Sequence, residues 1–333
     1  MKWIPHWAGN HDARESPRLW KAVLAPAKPL LSKSKVVARG RITHTESLGF
    51  RRNDPAGLTP APNATHVKFL PYICLVVSLL ATAGAKPSLT QADHKDWDSI
   101  LKDFVNTESR VDYSRLKSEA AGRLVRYTGQ LAAAEGLDWK SPEGKAFLIN
   151  AYNALTIRWV VENYPATSIM ATPNPFRKKR HRLAGETVSL DEIEERLKKS
   201  GDARIHAALV CAALSCPPLR REAYVAARLD DQLDSNTRQW LANSYLNEFD
   251  PQGGTAELSA IFDWNEKDFS SFAGGLEGFV REYAPRDKVE LLGDRRLSIS
   301  FKKYRWGLND QSPIGEDYSG FRLALDWLKN WFR

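Results

Sequence analysis

The chain has 333 residues, of which 48 are Lys or Arg and 40 are Asp or Glu, and its formal net charge is +8. Residues 1–85 carry 12 of the basic and 4 of the acidic residues, which leaves 36 of each in residues 86–333. Nucleic-acid binding requires a concentrated basic surface on the folded domain, so this neutral remainder argues against a nucleic-acid partner. The basic cluster at residues 177–182 has no interleaved aromatic residues, and we interpret it as a solvated loop and strand edge.

Residues 67–85 have the three parts of a secretory signal peptide. Lys68 supplies the charged start, residues 69–80 form an apolar run, and small residues lead up to Ala85. The apolar run is too short to span a bilayer. We therefore expect cleavage after Ala85 and a periplasmic or secreted product that is not embedded in the membrane.

Residues 1–66 are rich in proline and basic residues and have no sustained periodicity. Since a signal peptide belongs at the N terminus, we interpret them as a disordered extension from a start codon assigned too early, with translation beginning at Val67. The alternative is a genuine cytosolic extension followed by an internal membrane anchor. Residues 86–333 suit a single domain, because no Gly/Ser linker or internal repeat divides them.

Helices are predicted in the first half of that domain. Apolar residues recur at helical spacing in residues 97–105 and 116–131. Ser141 as N-cap and Pro142 at the first helical position begin a longer helix, which ends before Pro165. This third helix is apolar on nearly every side, so we expect it to be buried at the centre of the fold.

Two asparagines interrupt the apolar surface of this central helix. Asn150 and Asn153 lie one turn apart and so share a face, and buried amides must find hydrogen-bond partners. One interpretation is that they fasten a loop that crosses the helix. The other is that they line a cleft, where an amide orients a catalytic base or donates to a developing oxyanion.

Strands are expected mainly in the second half of the domain. Ser189 and Glu192 form a capping box for a helix that Gly201 ends. Residues 204–210 are predicted as a short buried strand, although an apolar run of this kind is also compatible with a helix. Further helices are predicted at residues 230–246, 271–283 and 321–332, and further strands at residues 255–264 and 297–304. Helices first and antiparallel strands later predict an α+β fold with a small antiparallel sheet.

Chemically active side chains concentrate in residues 204–219. Pro217 is expected to place Cys216 at the N-cap of a turn or helix, where backbone N–H groups favour a thiolate. Arg220 and Arg221 add positive charge nearby. The pattern therefore indicates that the Cys216 thiol is reactive at neutral pH.

These residues suggest a Cys/His/Asn enzyme. With Cys216 as nucleophile, His206 as base, and Asn150 or Asn153 orienting the imidazole or the oxyanion, the set is that of a hydrolase or acyl transferase acting on a peptide or amide. The histidines and cysteines lack zinc-site spacing, and the glycine pairs lack a phosphate-loop pattern, so we expect no metal and no cofactor. A peptide or protein is the expected substrate or partner.

Other interpretations of the same residues remain open. Cys211 and Cys216 are the cysteines left after export, and an oxidising compartment favours a disulfide between them. They could equally be a buried and inert thiol pair, with His206 a hydrogen-bonded core residue. The protein would then be a structural envelope protein or a non-catalytic binder of peptides.

Several ordered motifs together resemble a known family, that of the domain of unknown function 547. The motifs, spread over roughly residues 95–310, are KAFLINAYNALTIRWVVENYP, SLDEIE, RIHAALVCAALSCPPLRREAY, QLD and YRWGLN. The resemblance implies similarity to the papain and transglutaminase-like superfamily, in which a central helix packs on an antiparallel sheet. In that superfamily a nucleophilic cysteine opens the central helix and a histidine projects from a following strand.

This chain follows that pattern only in part. His206 is placed like the superfamily histidine, but residues 141–145, where the central helix begins, contain no cysteine. The departure leaves two hypotheses: a degenerate site that binds peptide without catalysis, or an active site that uses Cys216 instead.

Overall fold

The structure of the protein is a computed structural model that describes residues 94–316. The predictions for the upstream extension, the signal peptide and its cleavage site, and the helix at residues 321–332 lie outside the described residues, as do the two ends of the predicted domain. Within residues 94–316 the fold is α+β, with about half of the residues in helices and with small sheets.

Helices make up the first half of the described chain. They are α1 (Lys95–Phe104), α2 (Tyr113–Arg115), α3 (Ala121–Ala132) and α4 (Pro142–Asn163), and a π-helical turn, Leu116–Ala120, joins α2 to α3. The predicted apolar spacing is confirmed, because α1 buries Trp97 and Phe104 and α3 buries Leu124 and Leu131. Each helix therefore contributes one apolar stripe to the core.

Helix α4 begins where local rules place it. The Ser141 hydroxyl accepts the N–H of Gly144 at 3.1 Å, and Pro142 occupies the first helical position. The helix is buried along most of its length, which confirms its central position. Its main packing partners are α3 and α5 (Leu190–Lys198), so the expectation that it packs mainly on a sheet is wrong.

A β-hairpin precedes α5. Strands β1 (His181–Leu183) and β2 (Glu186–Val188) are antiparallel, and left-handed residues Ala184 and Gly185 make the turn between them. The capping box of α5 is confirmed: the Ser189 hydroxyl accepts the Glu192 N–H at 3.1 Å, and the Glu192 carboxylate accepts the Ser189 N–H at 2.9 Å.

The segment around His206 is a helix, not the predicted strand. Helix α6 (Ile205–Ala208) begins after Asp202, whose carboxylate accepts the Arg204 N–H at 3.1 Å. The carbonyls of Ala207 and Ala208 accept side-chain amides instead of the N–H groups of a neighbouring strand. The apolar run alone is compatible with a strand or a helix. The side-chain amides of Asn153 and Asn236, far away in the sequence, bind these carbonyls in the helical form.

The second half contains five helices and a three-stranded sheet among its described elements. They are α7 (Leu229–Ala242), β3 (Glu248–Asp250), β4 (Thr255–Leu258), α8 (Ala260–Trp264), α9 (Glu266–Ser270), α10 (Gly275–Tyr283), α11 (Arg286–Leu292) and β5 (Ser298–Phe301), with 3-10 turns at Ala226–Arg228 and Pro313–Gly315. A further 3-10 turn, Ile169–Ala171, lies in the first half, between α4 and β1. The predicted strand at residues 255–264 is therefore half strand and half helix.

The three-stranded sheet is mixed. Phe249 of β3 lies opposite Ala256 of β4 in an antiparallel pair, whereas Ala256 and Ile299 of β5 lie opposite each other in a parallel pair. The expectation of a purely antiparallel sheet is therefore wrong. Helices α8 to α11 connect β4 to β5, and a connection of this length allows parallel pairing.

Two hydrophobic clusters form the core. One surrounds α4, and the other is built on stacked rings such as Trp240 and Phe262, whose centroids lie 4.3 Å apart. The Tyr304 ring packs against both clusters. Within residues 94–316, no helix is both long enough and apolar enough to span a bilayer.

The close approach at Gly144 predicts that Gly144→Ala destabilises the protein. A Cβ atom there would lie 2.0 Å from the Asp138 carbonyl oxygen, a backbone atom that cannot rotate away. We expect the free energy of unfolding to fall by about 1–3 kcal/mol. Urea denaturation measures the change.

Gly129→Ala is the matched control, because Gly129 lies within α3 and a Cβ atom there meets nothing within 4 Å. This substitution should leave stability unchanged or raise it by about 0.5–1 kcal/mol. Equal destabilisation by both substitutions would contradict the close-packed start of α4.

Candidate functional site

The candidate site is built on the cysteine loop, residues 211–216. Cys211 and Cys216 are both free thiols, so the predicted disulfide is not formed in this structure. Cys216 is buried with 6% of its surface exposed, and Cys211 is half-buried. The two side chains share one partner, because the Tyr304 hydroxyl contacts both sulfurs.

Three hydrogen-bonding groups surround the Cys216 sulfur. The backbone N–H groups of Cys211 and Ala213 donate to Sγ over N···S distances of 3.1 and 3.3 Å, and the Tyr304 hydroxyl lies 3.3 Å away. Ala212, with a left-handed φ of 62°, separates the two backbone donors. Consecutive N–H groups around a left-handed residue form a concave nest that favours an anion. The sulfur thus occupies a place suited to a thiolate.

Segment 304–309 holds the cysteine loop in place. The N–H of Leu214 donates to the Gly307 carbonyl at 2.7 Å, and the N–H of Asn309 donates to the Ala212 carbonyl at 3.1 Å. These bonds run across the loop from both directions. They position the Tyr304 hydroxyl beside the two thiols, 2.9 Å from the Cys211 sulfur.

The surroundings of the two thiols shift their pKa values in opposite directions. Burial alone raises the pKa of Cys216, but hydrogen bonds from Cys211, from Tyr304 and from the two backbone N–H groups outweigh it and bring the pKa below its ordinary value. The hydrogen bond to Cys216, together with burial, raises the pKa of Cys211. Burial and the neighbouring sulfurs raise the pKa of Tyr304. The surroundings therefore favour ionisation of Cys216 over ionisation of Cys211 or Tyr304.

A pocket of about 300 Å³ reaches Cys216. Pro217 and Pro218 continue its wall beside the cysteine, and the amide side chains of Asn243 and Asn309 also line it. The pocket therefore places an open space beside a cysteine that is otherwise buried. Its lining is polar and largely uncharged, which suits a peptide or amide group.

His206 occupies a different set of contacts from Cys216. Its Nε2 atom lies 2.8 Å from the Asp268 carboxylate, its ring packs on Phe269, and Asp268 also faces Lys198 at 3.4 Å. The hydrogen bond from His206 lowers the pKa of Asp268 despite partial burial. No hydrogen bond joins His206 to Cys216 in the described chain, and the imidazole pairs with Asp268 instead.

Asn150 and Asn153 fasten backbone on either side of the cysteine loop. The Asn153 amide donates to the Ala208 carbonyl at 2.9 Å and accepts the Val210 N–H at 2.8 Å. The Asn150 amide donates to the Tyr224 carbonyl at 2.8 Å and accepts the Tyr224 N–H at 2.9 Å. This geometry matches the loop-fastening interpretation, since both amides are occupied by backbone groups.

The predicted N-cap position of Cys216 is wrong. Residues 217–220 are irregular, and the next regular element begins only at Ala226–Arg228. Arg220 pairs with the Glu222 carboxylate, and Arg221 donates to the Lys102 carbonyl at 3.2 Å. The donors to the Cys216 sulfur are therefore the backbone N–H groups of Cys211 and Ala213, and not a helix N terminus or nearby arginines.

Sequence reasoning gave no role to Tyr304 or Asp268. Tyr304 stands in the YRWGLN motif, which contributed only to the family resemblance, and 88 residues separate it from Cys216. No spacing rule connects positions so far apart. Within residues 94–316, no cluster of three or more His, Cys, Asp or Glu side chains is arranged to hold a metal ion.

Residues 137–241 match the model of a family described as "Protein of unknown function, DUF547". The match confirms the resemblance that the motifs indicate, over a shorter segment than residues 95–310. It includes the central helix and both cysteines but not Tyr304. No curated protein and no solved structure matches the chain.

Substitution of the two asparagines should destabilise the fold. Asn150→Ala and Asn153→Ala each leave one buried donor and one buried acceptor of the backbone without a partner, so we expect each to lower the free energy of unfolding by about 2–4 kcal/mol. Urea denaturation measures this. Losses below about 0.5 kcal/mol would contradict the fastening role.

The Tyr304 hydroxyl should control the ionisation of Cys216. Alkylation by iodoacetamide across a pH series, with peptide mapping to separate each thiol, should give a midpoint for Cys216 below that of an ordinary cysteine. Tyr304→Phe removes one donor to the thiolate, so the midpoint should move to higher pH. Tyr245→Phe, on the rim of the same pocket, is the control and should leave it unchanged. Identical midpoints for Tyr304→Phe and the wild-type protein would exclude this role.

Proposed function

We propose that the protein is a thiol-dependent hydrolase or acyl transferase that acts on a peptide or amide, with Cys216 as its nucleophile. The observation that carries the proposal is the convergence of two backbone N–H groups and one tyrosine hydroxyl on the Cys216 sulfur beside a pocket. A thiol held in this way ionises at a lower pH than an ordinary cysteine, and its thiolate attacks carbonyl carbon without first losing its proton to a base.

The reaction begins as the Cys216 thiolate forms a bond to the carbonyl carbon and the carbonyl π electrons move to oxygen. When the tetrahedral intermediate collapses, the bond to the leaving amine breaks and the amine takes a proton. Tyr304 is the nearest hydroxyl to the sulfur and stays protonated, so it is placed to give that proton. The Cys211 thiol, 2.9 Å away, is placed to return a proton to Tyr304.

His206 has a positioning role in this scheme. Its hydrogen bond to Asp268 links α6 to α9, and α6 leads directly into the cysteine loop. Asn150 and Asn153 are positioning residues as well, because their amides bind backbone on both sides of that loop. The nucleophile thus acts with a tyrosine and a second thiol where the sequence suggested histidine and asparagine.

Export is a further part of the proposal. It is supported by the three-part pattern of residues 67–85, with a charged start, a short apolar run and a small-residue cleavage pattern before Lys86. N-terminal sequencing of the protein recovered from the periplasm or medium tests it, and an intact N terminus on a cell-associated protein would contradict it.

Non-catalytic peptide binding is the second candidate function. The pairing of His206 with Asp268 favours it, because a conventional Cys–His catalytic pair is missing from the described residues. This candidate predicts binding of peptide in the pocket without any covalent intermediate.

Acylation of the reduced protein separates the two functions. Incubation with the p-nitrophenyl ester of an N-acylated amino acid should release nitrophenolate in a burst and add one acyl group, mapped to Cys216 by mass. The thioester should then decay by hydrolysis or by transfer to added hydroxylamine. Cys216→Ser should lower turnover by more than about a hundredfold.

Cys211→Ser is the matched control for this ester, because it keeps the nucleophile and because nitrophenolate leaves without the proton that Tyr304 and Cys211 would supply to a leaving amine. It should still form the acyl-enzyme. Acylation that persists without Cys216, or a pocket that binds peptide with no acyl-enzyme detected, would reject the enzymatic proposal.

A further inference from the structure

We propose that Cys211 and Cys216 form a redox-active dithiol that reduces disulfide substrates, with Cys216 as the attacking thiol and Cys211 as the resolving thiol. The inference goes beyond acyl chemistry, since it assigns a chemical role to Cys211 and a second class of substrate to the site.

Contact between the two thiols is the first support. Both sulfurs bind the same Tyr304 hydroxyl, at 2.9 Å from Cys211 and 3.3 Å from Cys216, and the Cys211 N–H donates to the Cys216 sulfur. Both cysteines are nevertheless free thiols in a loop short enough to close on itself. Two thiols held together in reduced form are the arrangement from which an internal disulfide forms most readily.

Asymmetry between the thiols is the second support. The three donors converge on the Cys216 sulfur, whereas the Cys211 sulfur contacts the Tyr304 hydroxyl and the pKa of Cys211 is raised. Thiol–disulfide exchange begins with attack by the thiol that is ionised at ambient pH, and it ends when a second thiol resolves the mixed disulfide. The geometry therefore assigns the first step to Cys216 and the second to Cys211.

Access supports the same order. Cys216 lines the pocket that opens beside Pro217 and Pro218, so a substrate disulfide reaches its sulfur from that side. Cys211 is absent from the pocket lining and faces Tyr304 instead. A substrate that enters this pocket therefore meets Cys216, although Cys211 is the more exposed residue of the two.

The two steps balance in atoms and electrons. The Cys216 thiolate attacks one sulfur of the substrate disulfide, forms a mixed disulfide and releases the other sulfur as a thiolate. Cys211 then gives up its proton, with the adjacent Tyr304 hydroxyl as the first acceptor along the path to the released thiolate. Its sulfur attacks Sγ of Cys216 and displaces the second substrate thiolate, which takes a proton from water. The protein dithiol loses two electrons, and the substrate becomes two thiols.

Oxidised glutathione is the probe for this proposal. The reduced full-length chain should form a Cys211–Cys216 disulfide at neutral pH and release two glutathione molecules for each molecule of probe consumed. Peptide mapping reads Cys74 separately from the pair. In Cys211→Ser, the reaction should stop at a Cys216–glutathione mixed disulfide, which should accumulate on the order of tenfold above the unmodified protein. In Cys216→Ser, the internal disulfide should be lost.

Two results would overturn the assignment: glutathione attached first at Cys211, or no internal disulfide in a folded protein whose Cys216 reacts with iodoacetamide. Circular dichroism of each variant confirms that it is folded. The acyl-enzyme assay with the nitrophenyl ester requires Cys216 but not the Cys211–Tyr304 proton donor, because nitrophenolate leaves without a proton, so failure of the dithiol proposal leaves the acyl-transfer proposal standing. The reverse also holds, because the glutathione reaction needs no carbonyl substrate.

Discussion

The burial of residues 146–157 of α4 on all sides is the constraint on which the rest of the structure depends. This segment has no solvent-facing side, so its buried side-chain amides must find hydrogen-bond partners inside the fold. Asn150 and Asn153 find theirs in the backbone at Tyr224 and at residues 208–210, one on each side of the cysteine loop. The same two side chains therefore belong to the core and fix the position of the cysteine loop.

Tyr304 connects the cysteine loop to the second half of the fold. Its ring lies 4.7 Å from the ring of Trp264 and 4.6 Å from that of Trp306, while its hydroxyl reaches both sulfurs. Packing against the second hydrophobic cluster thus sets the position of the Tyr304 hydroxyl, which contacts Cys216 in the first cluster. Because the thiols are largely shielded from water, each donor has more effect on their ionisation than it would have at the surface.

Local interactions in this fold could be predicted from the sequence, and distant ones could not. The start of α4 at Ser141 and the capping box at Ser189 depend on residues within one helical turn, so their patterns are sufficient. The apolar run at residues 204–210 predicts a strand, but the segment is a short helix. The side-chain amides that bind its backbone, those of Asn153 and Asn236, lie far away in the sequence, so no local pattern shows them. The same limit applied to the site: Cys216 was found from its neighbours, whereas Tyr304 and the Asp268 partner of His206 come from other parts of the fold.

A catalytic histidine beside a cysteine performs two tasks, deprotonation of the thiol and protonation of the leaving group. Around Cys216 the backbone nest and the Tyr304 hydroxyl can perform the first, because they stabilise the thiolate directly. The second needs a proton donor, and the chain Cys211–Tyr304 can supply one only while Cys211 is reduced. Acyl transfer and disulfide exchange then exclude each other at this site, since an acylated Cys216 cannot be oxidised and an oxidised pair has neither nucleophile nor proton donor. The redox state of one thiol pair would therefore determine which chemistry the site performs.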